Sequence, residues 1–141
     1  MRIIQAILLA CWLIPRATAA QNQSLEIYFI DVEGGQATLI VAPPGQSLLV
    51  DTGSPDFAGR DAERIVAATR LANLKRIDYV LITHYHRDHV GGVTQLADRI
   101  PIGTFIDHGP NAESGKEANE LFTAYQKLLQ KRRGEWGRRA R

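Results

Sequence analysis

Apolar and polar positions alternate in short runs through the middle of the chain, and the alternation predicts strands. From Leu25 to Val32, Leu25, Ile27 and Phe29 point one way, while Tyr28 and Ile30 make the other face largely apolar too. Glu33-Gly34-Gly35 reads as a turn, Gln36 to Ala42 as a second strand, and the two as a hairpin ended by Pro43-Pro44-Gly45. Ser47 to Val50 is a third strand. Tyr79-Val80-Leu81-Ile82-Thr83 is a fourth, short, β-branched and apolar, and Thr104-Phe105-Ile106 is a fifth.

Between the strands the period lengthens to that of a helix. Asp61 to Asn73 places Ala62, Ile65, Val66, Thr69 and Ala72 roughly on one face, and Val93 to Asp98 is a short helix broken by Pro101-Ile102-Gly103. Ser114-Gly115-Lys116-Glu117 has the form of a capping box. Ala118, Leu121, Phe122, Tyr125, Leu128 and Leu129 then recur at helical spacing, with Gly134 as a stop. The order of elements predicts an α/β domain whose two-sided apolar strands need cover on both faces. No internal repeat, Walker-type phosphate loop or Gly-x-Ser-x-Gly occurs.

The chemistry concentrates directly after the fourth strand, in His84-Tyr85-His86-Arg87-Asp88-His89-Val90-Gly91-Gly92. Loops leaving the carboxyl ends of strands are where α/β proteins place ligands. In an extended segment His84, His86 and Asp88 face one side, and His89 requires a turn. Gly91 and Gly92 permit positive φ and close backbone approach. Imidazole and carboxylate suit zinc, one ion or two, with iron or manganese as alternatives. The bland alternative is a solvated polar loop.

Three other polar residues sit at strand ends. Asp51 closes the apolar run Leu48-Leu49-Val50 and either orients the histidine loop by hydrogen bonding or simply opens an Asp-Thr-Gly turn. His108 follows the fifth strand and precedes Gly109-Pro110, so it is either near the site or a surface turn residue; direct ligation is the weaker reading. Asp31 precedes the hairpin turn.

His84-x-His86-x-Asp88-His89 with Gly91-Gly92 resembles the signature of the metallo-β-lactamase superfamily. Leu48 to Gly53 is similar to the strand ending in Asp-x-Gly that precedes the signature, and Ile30 to Ala37 resembles the opening of the competence-protein (ComEC-like) branch. Only the resemblance of that last stretch makes Asp31 a candidate for lying near the site. The resemblance spans residues 25–108 and not the last third of the chain. It implies an αββα sandwich, represented by roughly the N-terminal half to two-thirds. It also implies that His84 and His86 belong to one metal position and Asp88 and His89 to a second. Asp51 would orient the metal loop, and Asp88 would also help with proton transfer. The family's later histidine and aspartate ligands have no counterpart after His108 and Asp107. The resemblance therefore implies a metal-dependent hydrolase of an ester, amide or phosphodiester, weakly active or inactive in this chain. A non-catalytic metal-binding or interaction protein and an exported nucleic-acid-handling module are the alternatives.

Composition adds a compartment. Arg2, the apolar run Ile3–Ile14 and the small residues Ala17-Thr18-Ala19-Ala20 form a signal-peptide pattern over 1–20, predicting export to the periplasm or outside and no stable membrane span after cleavage. Cys11 is the only cysteine and falls within that segment, so the rest of the chain offers no thiol. The net charge of +2 divides unevenly. Residues 21–130, the partial metallo-β-lactamase-like domain that the resemblance implies, carry nine basic and fourteen acidic side chains, whereas 131–141 carry six basic against Glu135, a basic end expected to be disordered. A basic end can meet nucleic acid, and a sheet lacking cover can pair with a second copy; the substrate itself is not legible.

Overall fold

The computed structural model describes residues 24–43 and 45–139. The signal-like segment 1–20, with Cys11, lies outside them. Five strands form one sheet in sequential order: β1 (Glu26–Phe29), β2 (Thr38–Val41), β3 (Ser47–Val50), β4 (Ile77–Leu81) and β5 (Ile102–Ile106). The first three are antiparallel neighbours, and β3, β4 and β5 are parallel. Parallel neighbours require crossovers. Helix α1 (Arg60–Leu71) makes the first, and α2 (Arg87–Val90) with α3 (Val93–Ala97) the second. Both crossovers step along the sheet in one direction, so the right-handed rule puts their helices on the same face. Helix α4 (Lys116–Arg139) follows β5 and packs against α2 and α3.

Register turns the alternation into a core. Tyr28, Leu39, Leu49, Val80 and Phe105 are cross-strand partners in one row over all five strands. Leu39, Leu49 and Val80 are fully buried beneath Ala62 and Ile65 of α1, Leu96 of α3 and Tyr125 of α4. The opposite face carries two further rows, Ile27-Ile40-Leu48-Tyr79-Thr104 and Phe29-Thr38-Val50-Leu81-Ile106. There Ile27, Phe29, Tyr79 and Ile106 are exposed, Phe29 to 84%. The strands thus have two apolar faces, as their sequence predicts, and one is covered by helices.

Several boundaries and devices differ from expectation. The hairpin forms with shorter strands: after the turn, Gln36 N–H bonds Asp88 O of the histidine loop, and before it Asp31 pairs with Arg64. The Ser114 capping box is not built: Glu117 reaches away from the helix end to Arg87. Gly134 does not stop α4, which runs to Arg139, so most of the basic end expected to be disordered belongs to a helix. A single glycine costs only about 1 kcal/mol in a helix interior, which the flanking helix formers offset.

Candidate metal centre

The histidine loop begins where β4 leaves the sheet. Ile82 N–H still donates to Ile106 O, and the chain runs on without regular structure to His86, which is extended. His86 then caps a helical turn: its carbonyl accepts from the N–H groups of His89 and Val90. Strict alternation therefore ends at His86. His84 and His86 project from the segment before the turn, whereas Asp88 and His89 come from the turn α2, which brings them back toward the first two.

The chain's other strand ends grip this loop by its backbone. Gln36 N–H donates to Asp88 O at 3.0 Å, from the β1–β2 turn. Thr52 N–H and Thr52 Oγ1 both donate to His89 O, at 2.8 and 2.9 Å, and Gly92 N–H donates to Gly53 O at 2.9 Å. Such contact leaves no room for a side chain. A Cβ on Gly35 would lie 2.5 Å from Asp88 O, and one on Gly92 would lie 2.2 Å from Thr52 O. Gly92 has φ −76° and Gly91 −60°, so the glycine pair serves close approach and not positive φ.

Asp51 lies fully buried under the loop, at φ 57° in the left-handed region. That conformation costs a non-glycine residue about 1–2 kcal/mol. It is held because the side chain is fixed at both oxygens. Oδ1 accepts from Thr83 N–H at 2.8 Å, and Oδ2 accepts from Thr83 Oγ1 at 2.6 Å and faces His89 Nδ1 at 2.8 Å. A carboxylate only accepts, so His89 carries its proton on Nδ1 and presents Nε2 outward. Thr83 Oγ1 has spent its one proton on Asp51, so its 3.1 Å contact with His84 Nδ1 is accepted from a ring N–H, leaving His84 Nε2 with a lone pair.

The outward ring nitrogens converge, and those of His84 and His86 share a hydrogen bond. His84 Nε2 is 3.0 Å from His86 Nδ1, the His84 and His89 rings are 3.9 Å apart, and Asp88 Oδ2 is 3.6 Å from His89 Nε2. Burial, then the neighbouring His89 and His86, hold the His84 pKa below the ordinary imidazole value, against the opposing charges of Asp51 and Glu113. Among the described residues, no group of three such side chains is already closed around one point.

The two residues between the ligand-type side chains face elsewhere. Tyr85 is fully buried, donates to Gly109 O at 2.5 Å and packs its ring 4.5 Å from Phe122 of α4. Burial, with Asp107 and Glu113 adding, pushes its phenol up to about 12. Arg87 joins Asp56, through both Nε and Nη2, to Glu117 at the start of α4.

Asp51 and the four residues of the loop are thus brought together. Asp31 is not: it lies on the surface, paired with Arg64 at 3.1 Å. His108 is exposed, its ring 5.0 Å from that of Tyr85, with no contact to the three clustered histidines. Sequence reading passed over Thr83, whose hydroxyl joins Asp51 to His84; its position directly before the first histidine was the available signal. It also passed over Gln36, Thr52 and Tyr85, which act through backbone contacts or core packing that a sequence does not display.

A family model described as the metallo-beta-lactamase superfamily matches residues 30–139. A beta-lactamase-like protein 2 homolog of Caenorhabditis elegans is 34% identical over 68 residues, covering 47% of this chain and 22% of that protein. An atrochrysone carboxyl ACP thioesterase of Cryptosporiopsis sp. is 35% identical over 81 residues, 55% of this chain and 24% of its own length. A hydroxyacylglutathione hydrolase of Alkalilimnicola ehrlichii is 44% identical over 54 residues, 38% of this chain and 20% of its own. The matches span less than a quarter of each of these relatives.

Proposed function

The chain belongs to the metallo-beta-lactamase superfamily, and from that premise we propose that it is a zinc-dependent hydrolase, with His84, His86, Asp88 and His89 as metal ligands. The observation that carries this reading is the 2.8 Å approach of His89 Nδ1 to the buried carboxylate of Asp51. Asp51 Oδ2 accepts a hydrogen bond from His89 Nδ1–H, and the carboxylate–histidine arrangement leaves Nε2 as the ligand atom. The donor set fits the ion. Nitrogens bound tetrahedrally at about 2.0–2.1 Å stand about 3.3 Å from one another, and His84 Nε2 and His86 Nδ1 are 3.0 Å apart.

Zinc held there, as one ion or two, supplies Lewis acidity that polarises the carbonyl or phosphoryl oxygen and acidifies a water toward neutrality. The protein's residues do the rest. His84 and His86 serve one position, and Asp88 and His89 the other. Asp51 and Thr83 hold the rings of His84 and His89 in orientation without touching the ion. Asp88, 44% exposed, orients the attacking water and accepts its proton at the carboxylate. Iron or manganese would suit the same ligands. Two ligands for each ion is fewer than the three that catalytic zinc usually keeps, so turnover by this chain is weak. Substrates are esters, amides or phosphodiesters, and the thioesterase and hydrolase names among the relatives favour acyl compounds. The Ile30–Ala37 stretch supports a place near the competence-protein branch, and the Arg2–Ala20 pattern supports export.

Calorimetric zinc titration tests the assignment. Wild type should bind, and His84→Ala/His86→Ala should lose its tighter binding. Unchanged affinity in that variant refutes the site. Turnover of a reporter thioester, ester and phosphodiester in the presence of zinc then reads the substrate class.

A further inference from the structure

Backbone bonds hold the histidine loop at either end, and side chains hold it between. The β4–β5 ladder reaches as far as Ile82, whose N–H donates to Ile106 O, and the helical turn begins where His86 O accepts from His89 and Val90. Among the described residues, neither His84 nor Tyr85 makes a backbone–backbone hydrogen bond. Asp51 holds Thr83, just ahead of this stretch. Within it the anchor is the side chain of Tyr85, whose hydroxyl donates to Gly109 O at 2.5 Å.

That acceptor is itself a fixed point. Gly109 N–H donates to Asp107 Oδ1 at 2.8 Å, and Asp107 Oδ2 accepts the hydroxyl of the buried Tyr125 of α4, also at 2.8 Å. Beyond Gly109, Asn111 binds both N–H and O of Glu113 and donates to Asn119 Oδ1 of α4, and Glu113 Oε2 is shut from solvent. The Gly109 carbonyl is thus tied to the end of β5 and, through Asp107 and Asn111, to α4.

The Tyr85 ring is fully buried, 4.5 Å from Phe122, 5.0 Å from His108 and 6.0 Å from Tyr125. Phenylalanine would fill that space equally well, and a buried hydroxyl brings the demand for a partner. What the hydroxyl adds is direction, because the bond to Gly109 fixes how far the ring reaches into the core. Outside the core, on the residues either side of Tyr85, His84 Nε2 and His86 Nδ1 lie 3.0 Å apart. Ligand side chains must be kept within about 0.5 Å of their productive geometry by neighbours whose own rotamers are locked. A shift of Tyr85 would move both imidazoles at once.

We propose that Tyr85 is the positioning residue of the His84–His86 pair: its hydroxyl, bonded to Gly109 O, fixes from the core side the peptide units that carry both imidazoles. This rests on the metal-site reading given above. Tyr85 touches neither ion nor substrate and acts through the backbone of its two neighbours. The β5–α4 segment thereby becomes part of the framework of the site, although it supplies no ligand.

The test is Tyr85→Phe in the full chain, which keeps the ring and removes the bond. Gly109→Ala, which strains the acceptor's backbone at φ 93° and leaves the histidine loop unaltered, is the second variant. Ile65→Val, a core lesion on α1, is the control for lost stability. Zinc titration should show Tyr85→Phe binding about 10-fold more weakly than wild type, the lower end of the range for residues supporting metal ligands. Gly109→Ala should weaken binding too, while Ile65→Val binds as wild type despite a lower melting temperature. Co2+ bound at saturation in place of zinc should show an altered d–d absorption in Tyr85→Phe, because the geometry of its ligands has changed, and an unaltered one in Ile65→Val. Zinc affinity within twofold of wild type and an unaltered cobalt spectrum in Tyr85→Phe, with His84→Ala/His86→Ala impaired, overturn this proposal alone. Equal weakening by Ile65→Val also overturns it, since lost stability would then account for the effect. Wild-type affinity in His84→Ala/His86→Ala overturns the metal site and this proposal with it.

Discussion

The imidazole of His89 and the carboxylate of Asp51 meet at 2.8 Å, Nδ1 to Oδ2, from positions 38 residues apart. One contact thereby joins the end of β3 to the turn after β4 and decides which nitrogen of His89 is free. Asp51→Asn should reverse that decision. The amide oxygen would keep Thr83 N–H, and the amide nitrogen would then face His89 and Thr83 as a donor. His89 would accept at Nδ1 and carry its proton on Nε2, the ligand atom. Zinc affinity should fall about 10–100-fold, the range for partners of metal-binding histidines, while the far-UV circular dichroism stays unchanged. Unaltered calorimetric affinity would remove Asp51 from the site.

Gly92→Ala should be a stability lesion at the same place. The new Cβ meets Thr52 O, a backbone atom that itself belongs to the strand end holding the loop, at 2.2 Å. Neither side can yield by changing rotamer, so the loop must separate from β3. A cost of about 1–3 kcal/mol, that of overpacking a tight interior, is expected. Denaturant midpoints should show it, and zinc binding should weaken with it. A variant as stable as wild type would refute the close approach of Gly92 to Thr52.

Tyr125 predicts an alkaline limit. Burial first, and its hydrogen bond to Asp107 second, raise its pKa well above the ordinary 10. The folded protein thus keeps the phenol proton that the unfolded chain releases near pH 10. The resulting stabilisation is complete below pH 10 and is lost as pH climbs toward the folded value. Urea midpoints measured from pH 8 to 11 should fall steeply above 10, and the fall should be shallower in Tyr125→Phe. Parallel curves would contradict the assignment.

The exposed rows of the sheet predict association. Ile27, Phe29, Tyr79 and Ile106 present apolar side chains on one face, the first two on an edge strand. Contiguous apolar surface of this kind marks a contact face. The chain should run as a dimer or larger species by light scattering and bind a hydrophobic dye. Ile27→Lys/Phe29→Lys should shift it toward monomer and reduce dye binding. A wild-type monomer with no dye binding would refute the expectation.

Much of this was legible in the sequence, for identifiable reasons. The Ser47–Val50 strand was found at its observed bounds because two apolar leucines and a valine stand between turn residues. His84, His86, Asp88 and His89 were found together because their side-chain types are rare at such density. The parts not legible depend on neighbours distant in sequence. Nothing local to Tyr85 says that its ring will meet Phe122, and nothing local to Glu113 says that its oxygen will be shut from water. Gly91 and Gly92 were noticed for two freedoms, positive φ and close approach, and only the second is used: their φ values are ordinary, and the need for them lies in the carbonyl of Thr52 and the ring of Pro55.

The grip of Gln36, Thr52 and Gly53 on the histidine loop has a consequence for the order of events during folding. Each of these backbone bonds closes a long stretch of chain, 37 residues in the case of Thr52 and His89. Loop closure of that length is repaid only when the intervening strands and α1 are already in place. A nascent chain cannot assemble the histidine cluster as an isolated peptide, and cations met before the sheet closes would find only scattered imidazoles. The amide protons of Thr52 and Gly92 should accordingly exchange with solvent only through global opening, among the slowest in the molecule.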